Sequence, residues 1–187
     1  MTVEVTRYRF TVLDYHRMGE VGILEEDEKV ELLGGDVVVR EPPGPYHAGT
    51  VNRLTRLWTS RLGDRAIVHV QNPIELPDVD SEPQPDVALL RPRADFYTTA
   101  HPRAADVLLV VEVADSSARP DRRVKIPLYA RAGIRELWLV DVTTRRVELY
   151  RQPSASGFRE IRATGDEEVF SPEAFPDLRL TPRDLLG

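Results

Sequence analysis

VLLVVEVADSS, residues 107–117, runs apolar from Val107 to Val111, inserts a carboxylate at Glu112, and resumes with Val113. A short, valine-rich run of this kind reads as a central strand covered on both faces. An ionised carboxylate is strongly disfavoured in such a setting unless a cation pairs with it or a proton neutralises it. Glu112 therefore either ends its strand in water or holds something.

The neighbouring segments supply the rest of a sheet. AIVHVQNPIEL (66–76), interrupted at Pro73, and DVALLRP (86–92) read as strands that precede the central one in a meander. A helix is expected around residues 122–132, closed by Gly133. Pro127 fits that helix only in its first turn or with a local kink. ELWLVDV (136–142) is a further buried strand, and RRVELYRQ with GFREIRA a C-terminal hairpin. Near the start, Thr11 is placed to cap a short helix, and KVELLGGDVVVR (29–40) reads as a hairpin turning at Gly34-Gly35. In HAGTVNRLTRLWTSRL (47–62), Val51, Leu54, Trp58 and Leu62 follow helical spacing. Arg53 and Arg56 lie mostly off that apolar face, as a solvated surface or as a face for phosphates. Strands, helix and strand in this order predict an α/β (α+β) fold, a mixed sheet with helices on its faces and an added N-terminal hairpin.

Composition narrows the class. The 187 residues suit one domain, 1–187, with a sizeable core. There is no cysteine, which excludes disulfides and thiolate metal sites and is compatible with a cytoplasmic setting. No apolar run approaches the ~20 residues of a membrane span, and MTVEVTRYRF lacks the apolar core of a signal peptide. The formal net charge is -6. Such a chain binds nucleic acid only if its arginines gather on one face.

The chemistry stands at strand edges. Asp86 opens DVALL after Pro83-Gln-Pro85, and Glu112 lies near the end of VLLVVEVA. If these strands are antiparallel neighbours, the start of one lies beside the end of the other, and the two carboxylates meet. Carboxylates so placed repel unless a cation sits between them. Oxygen donors without a His or Cys cluster favour a hard cation such as Mg²⁺ or Mn²⁺. Lys125, on the helix after Glu112, is the candidate cationic partner; the only other lysine is Lys29, far upstream. The bland alternatives are a strand-entry Asp86, an exposed strand-end Glu112 and an exposed helix lysine. Asp141 reads as a strand-end turn residue. His16, His69 and His101 lack ligand-like spacing.

VELLGGDVV, PGPYHAGTVNRL, QPDVALL, VVEVADSS and DRRVKIPLYARAGIRELWLVD together resemble the Uma-two family of restriction-endonuclease-like proteins, over roughly residues 8–150. The resemblance implies the PD-(D/E)XK type of fold and a metal-dependent nuclease. On that likeness Pro85-Asp86 matches the PD element, Glu112 the second acidic residue, and the Val113 carbonyl a further metal ligand. Ala114 stands where a lysine is usual, and Lys125 matches the position that substitutes for it. Glu31 matches an acidic position of the hairpin, and His47 a histidine at the helix start, in reach of the pocket. ADSS departs from the commoner form of the turn after the glutamate. The expected activity is hydrolysis of phosphodiester bonds in nucleic acid, DNA above all, by a homodimer. Arg53, Arg56 and the 91–103 loop would contact phosphates. The rival reading is a catalytically degenerate scaffold on the same fold, and the charge of the rim around Asp86 and Glu112 separates the two.

Overall fold

The computed structural model describes residues 7–25, 28–115 and 119–187, with the side chains of residues 119–122 left aside. Helix α1 (Val12–Glu20) opens on Thr11, which caps it in a reciprocal bond with Asp14. Strands β1 (Val30–Leu33) and β2 (Asp36–Val39) form the expected hairpin. Its two turn residues, Gly34 and Gly35, both have positive φ (56° and 81°), the conformation such a turn demands. Helix α2 (Pro45–Leu62) follows.

Six strands make the main sheet: β3 (Ile67–Val70), β4 (Val87–Leu90), β5 (Val107–Ala114), β6 (Glu136–Asp141), β7 (Arg146–Ser154) and β8 (Gly157–Ala163). They lie in chain order and pair antiparallel, except for β5 and β6, which run parallel. The parallel step needs a crossover, and α3 (Arg119–Arg131) supplies it. The meander before residue 120 is thus present as read.

Both faces of the sheet are covered, which is why β5 is apolar at almost every position. Val51, Leu54, Trp58 and Leu62 of α2 pack on one face against Val87, Leu89, Leu109, Val111 and Val113. Tyr129, Ala130 and Ile134 pack on the other against Ala88, Val110, Ala114 and Leu139. Glu112 shares the parity of Val110 and Ala114, so its side chain enters the α3 face.

Three details depart from expectation. The strand expected over 66–76 ends at Val70: Gln71 adopts a positive φ of 50°, so the chain turns two residues before Pro73. The helix expected at 122 begins at Arg119, which puts Pro127 in its interior. There Pro127 has no N–H to give to the carbonyl of Arg123. The helix ends as expected: Gly133 (φ 80°) donates to Ala130 O and Ile134 to Tyr129 O, the paired bonds of a Schellman cap. Third, the C-terminal stretch, unassigned by pattern, closes the α2-side core with Phe170, Phe175, Leu178 and Leu180. The expectation for the turn after Asp115 falls outside the described residues.

Candidate functional site

The register settles the question posed by Glu112. Val87 pairs with Val111 in the antiparallel β4–β5 ladder, so Asp86 and Glu112 are the next pair beyond it. The Asp86 N–H points at Glu112 Oε2 (3.4 Å), and the Val113 N–H donates to Asp86 Oδ2 (2.8 Å). In an extended strand the C=O of a residue faces the same edge as its N–H. The Val113 carbonyl therefore faces the Asp86 side.

Lys125 enters from α3. Its Nζ lies 2.8 Å from Glu31 Oε2, 3.0 Å from Glu31 Oε1 and 3.9 Å from Glu112 Oε1. None of the four is exposed: Glu31 is 2%, Asp86 7%, Glu112 9% and Lys125 7% accessible. The readings of Glu112 and Lys125 as exposed residues, and of Glu31 as an outward hairpin residue, fail on this burial. Glu31 is held from three sides, by Lys125, by Arg40 Nε (2.9 Å) and by the Gln84 N–H (2.9 Å). His47, in the first turn of α2, places Nε2 3.0 Å from Asp86 Oδ2. Its Nδ1 is buried and has no hydrogen-bond partner among the described residues.

Pattern reading missed four residues that complete this cluster. Gln71 Nε2 donates to Asp86 Oδ1 (3.3 Å), the Tyr129 hydroxyl to Glu112 Oε1 (2.8 Å), and Arg40 NH1 to Gln84 Oε1 (2.5 Å). Only Tyr129 carried a signal: it stands four residues after Lys125, on the same helix face. The other three are brought in by the turn after β3, the end of β2 and the loop before β4.

Three carboxylates face two permanent cations here, and titration follows from that imbalance. Burial pushes the Glu112 carboxyl up to about 7; Lys125 opposes the rise and the Asp86 charge adds to it. Burial would also raise Asp86, but the bond and charge of His47, with the Val113 N–H and Lys125, prevail and hold it below the usual range. His47 is raised, first by its bond to Asp86. Lys125 is raised as well: burial disfavours its charge, but Glu112 and Glu31 outweigh that.

The donor set suits a hard divalent cation. Among the described residues, Asp86 and Glu112 each have one firmly held oxygen (Oδ2, Oε1) and one with only a long contact, at 3.3 Å and 3.4 Å. Among the described residues no group of three or more His, Asp or Glu side chains forms a ready cage. Mg²⁺ does not need one; it binds through one or two carboxylates and keeps its waters.

Glu31, Arg40, His47, Gln71, Gln84, Asp86, Val113 and Lys125 line a cavity of about 320 Å³ together with Val38, Val39, Glu41, Pro42, Pro43 and Asp115, while Glu112 and Tyr129 lie behind that lining. The arginines named as phosphate contacts are elsewhere. Arg53 and Arg56 border a separate groove with Asn52, Arg61 and Asp184. In the 91–103 loop, Arg93 pairs with Asp95, Arg103 with Glu75, and Arg91 bonds the Ala105 carbonyl. That loop contributes no residue to the cavity. Asp141 caps the turn after β6 by accepting from the N–H groups of Thr143 and Thr144, as its position suggested.

A mixed sheet with a hairpin, carboxylates at the ends of paired strands and a lysine from the crossover helix define a nuclease-like fold. The chain belongs to the Uma2 family, described as "putative restriction endonuclease", whose model matches residues 12–183. A crystal structure from Anabaena variabilis, described as "a putative nuclease belonging to DUF820", has the same fold, with a TM-score of 0.75. The two share 17% identity over 95% of this chain and 97% of that one. No curated protein matches the chain. Among the described residues no helix is long and apolar enough to cross a membrane.

Proposed function

We propose that this protein hydrolyses phosphodiester bonds of DNA with Mg²⁺ or Mn²⁺ held by Asp86, Glu112 and the Val113 carbonyl. One observation carries the reading: strand pairing sets two buried carboxylates side by side, and a helix returns a buried lysine to within 3.9 Å of one of them. A divalent ion at such a site supplies an activated water and neutralises charge on the phosphate. The chain's own residues do the rest. Lys125 presents a fixed positive charge for the developing oxyanion. Glu31, itself fixed by Arg40 and Gln84, holds that ammonium in place. His47, Gln71 and the Val113 N–H orient Asp86. Ala114 is no obstacle, because the lysine arrives from α3 rather than from β5. A twofold-related homodimer would carry two such sites.

The test compares wild type with Glu112→Ala on single- and double-stranded DNA with Mg²⁺ or Mn²⁺. Cleavage by the wild type, lost in a variant of unchanged circular dichroism, supports the reading. A wild type inert on both substrates with both metals refutes it.

A second reading, a binding module on a nuclease fold, has one observation in its favour. Among the described residues the mouth of the cavity carries Val38, Val39, Pro42, Pro43 and Glu41 and no lysine or arginine, and Arg40 and Lys125, deeper in, are engaged by Glu31. Fold alone does not decide between them.

A further inference from the structure

The rim that weakens a duplex-nuclease reading has a chemistry of its own. Val39, at the mouth, is 72% exposed, and Tyr46, one residue before His47, is 83% exposed. Pro42 and Pro43 lie between them in sequence; Val39 and both prolines line the cavity, and Tyr46 adjoins it through His47. A rigid duplex is held chiefly through its phosphates, and among the described residues the cavity's lysine and arginine, Lys125 and Arg40, are both engaged by Glu31. An unpaired base instead presents a flat π face, which stacks on an aromatic side chain whatever its sequence. The cavity, about 320 Å³, lies at the small end of ligand sites. A phosphate reaches its recessed floor more readily on a flexible strand than on a stacked helix.

α2 extends the pattern. Tyr46, Gly49, Arg53 and Arg56 recur at helical spacing and are all exposed, on the side turned away from Val51, Leu54 and Trp58. At Gly49 nothing lies within 4 Å of where a Cβ would stand, which leaves an open step between the aromatic ring and the arginines. The stripe begins one residue before His47 and leads away from the cavity past Arg53, whose guanidinium borders Gly187, to Arg56.

We propose that Val39, Pro42, Pro43 and Tyr46 form a nucleobase subsite and that the substrate is single-stranded DNA. One base stacks on Tyr46, its phosphate lies at Asp86 and Glu112, and the following phosphates run along Arg53 and Arg56. The placement of that phosphate rests on the phosphodiesterase reading; the base subsite and the arginine track do not.

Fluorescence anisotropy in EDTA, where no cleavage intervenes, tests the subsite with a labelled oligothymidylate, a duplex of the same length and an abasic strand. Wild type binds the oligothymidylate about tenfold more tightly than the abasic strand or the duplex, and Tyr46→Ala loses about tenfold on it, the worth of one stacked base. Tyr46→Trp keeps the affinity. Equal binding by Tyr46→Ala and wild type, or a duplex or an RNA strand bound more tightly than single-stranded DNA, overturns the proposal. If no metal supports cleavage but the Tyr46 dependence is present, hydrolysis falls and the subsite stands. If duplex DNA is cleaved and Tyr46→Ala changes nothing, the subsite falls and hydrolysis stands.

Discussion

Two neighbouring strands each bury a glutamate, and the two have opposite surroundings. Glu136, at the start of β6, is fully buried and accepts from Arg151 Nε (2.8 Å) and NH2 (2.7 Å), Trp138 Nε1 (2.8 Å) and the Glu173 N–H (2.7 Å). Burial raises its pKa, but every partner it has opposes the rise. Glu112, near the end of β5, has a hydroxyl, a distant ammonium and a second carboxylate one strand away. Its neighbours Asp86 and Glu31 add to the rise that burial causes. One carboxylate is saturated with donors and holds the C-terminal segment to the sheet. The other is kept short of positive charge, as the metal-binding role proposed above requires.

The largest effect that separates them is on stability. Glu136→Ala removes the buried partner of the Arg151 guanidinium, leaving it the Ser171 carbonyl and Glu173, and takes the acceptor from an indole N–H and a backbone N–H; it is expected to cost about 3 kcal/mol in urea unfolding. Glu112→Gln keeps the shape and removes a repelled charge, so it folds with no such loss. A comparable cost from Glu112→Gln would erase the distinction. The next effect is on metal. Glu112→Gln should weaken Mn²⁺ binding by more than the roughly 100-fold typical of outer partners, as read by calorimetric titration. His47→Ala, which removes a partner of Asp86 rather than a ligand, should weaken it about tenfold.

Protons sharpen the comparison further. A carboxyl raised in the native state leaves stability intact below its unfolded value near 4.5, and that stability is lost as pH climbs through about 7. Subtracting the melting profile of Glu112→Gln from that of wild type should isolate this downward slope between those limits. Because a proton competes with a cation for the same oxygen, Mn²⁺ affinity should rise with pH up to about 7 and then level off. A flat profile would mean that Glu112 does not ligate. The smallest effect expected is at the α2 stripe: Arg56→Ser should lower the salt dependence of single-strand binding by roughly 0.7 in slope, the share of one phosphate contact.

Much of the site was legible in local sequence. The alternation and turn residues around Gly34-Gly35, the run 107–114 and the Gly133 cap each carry their own conformational preference. Asp86 and Glu112 could be paired from the sequence because two adjacent strands in a meander leave one antiparallel register to consider. Glu136 was not singled out: its cluster draws on Arg151 and Glu173, from β7 and the C-terminal segment. The arginines of the 91–103 loop resemble phosphate ligands in composition, yet they are engaged within the chain.

The sequence by itself determined the order of strands and helices, the two carboxylates at the ends of neighbouring strands and the absence of a lysine at Ala114. These follow from local periodicity, from turn chemistry and from a parallel step that only a crossover helix can make. Tertiary structure alone decided that Glu31 would anchor Lys125, that Arg40, Gln71 and Gln84 would complete the cluster, and that Val38, Val39, Pro42 and Pro43 would line the mouth. Those contacts join segments far apart in the chain, and no local preference encodes which distant side chain will satisfy a buried charge.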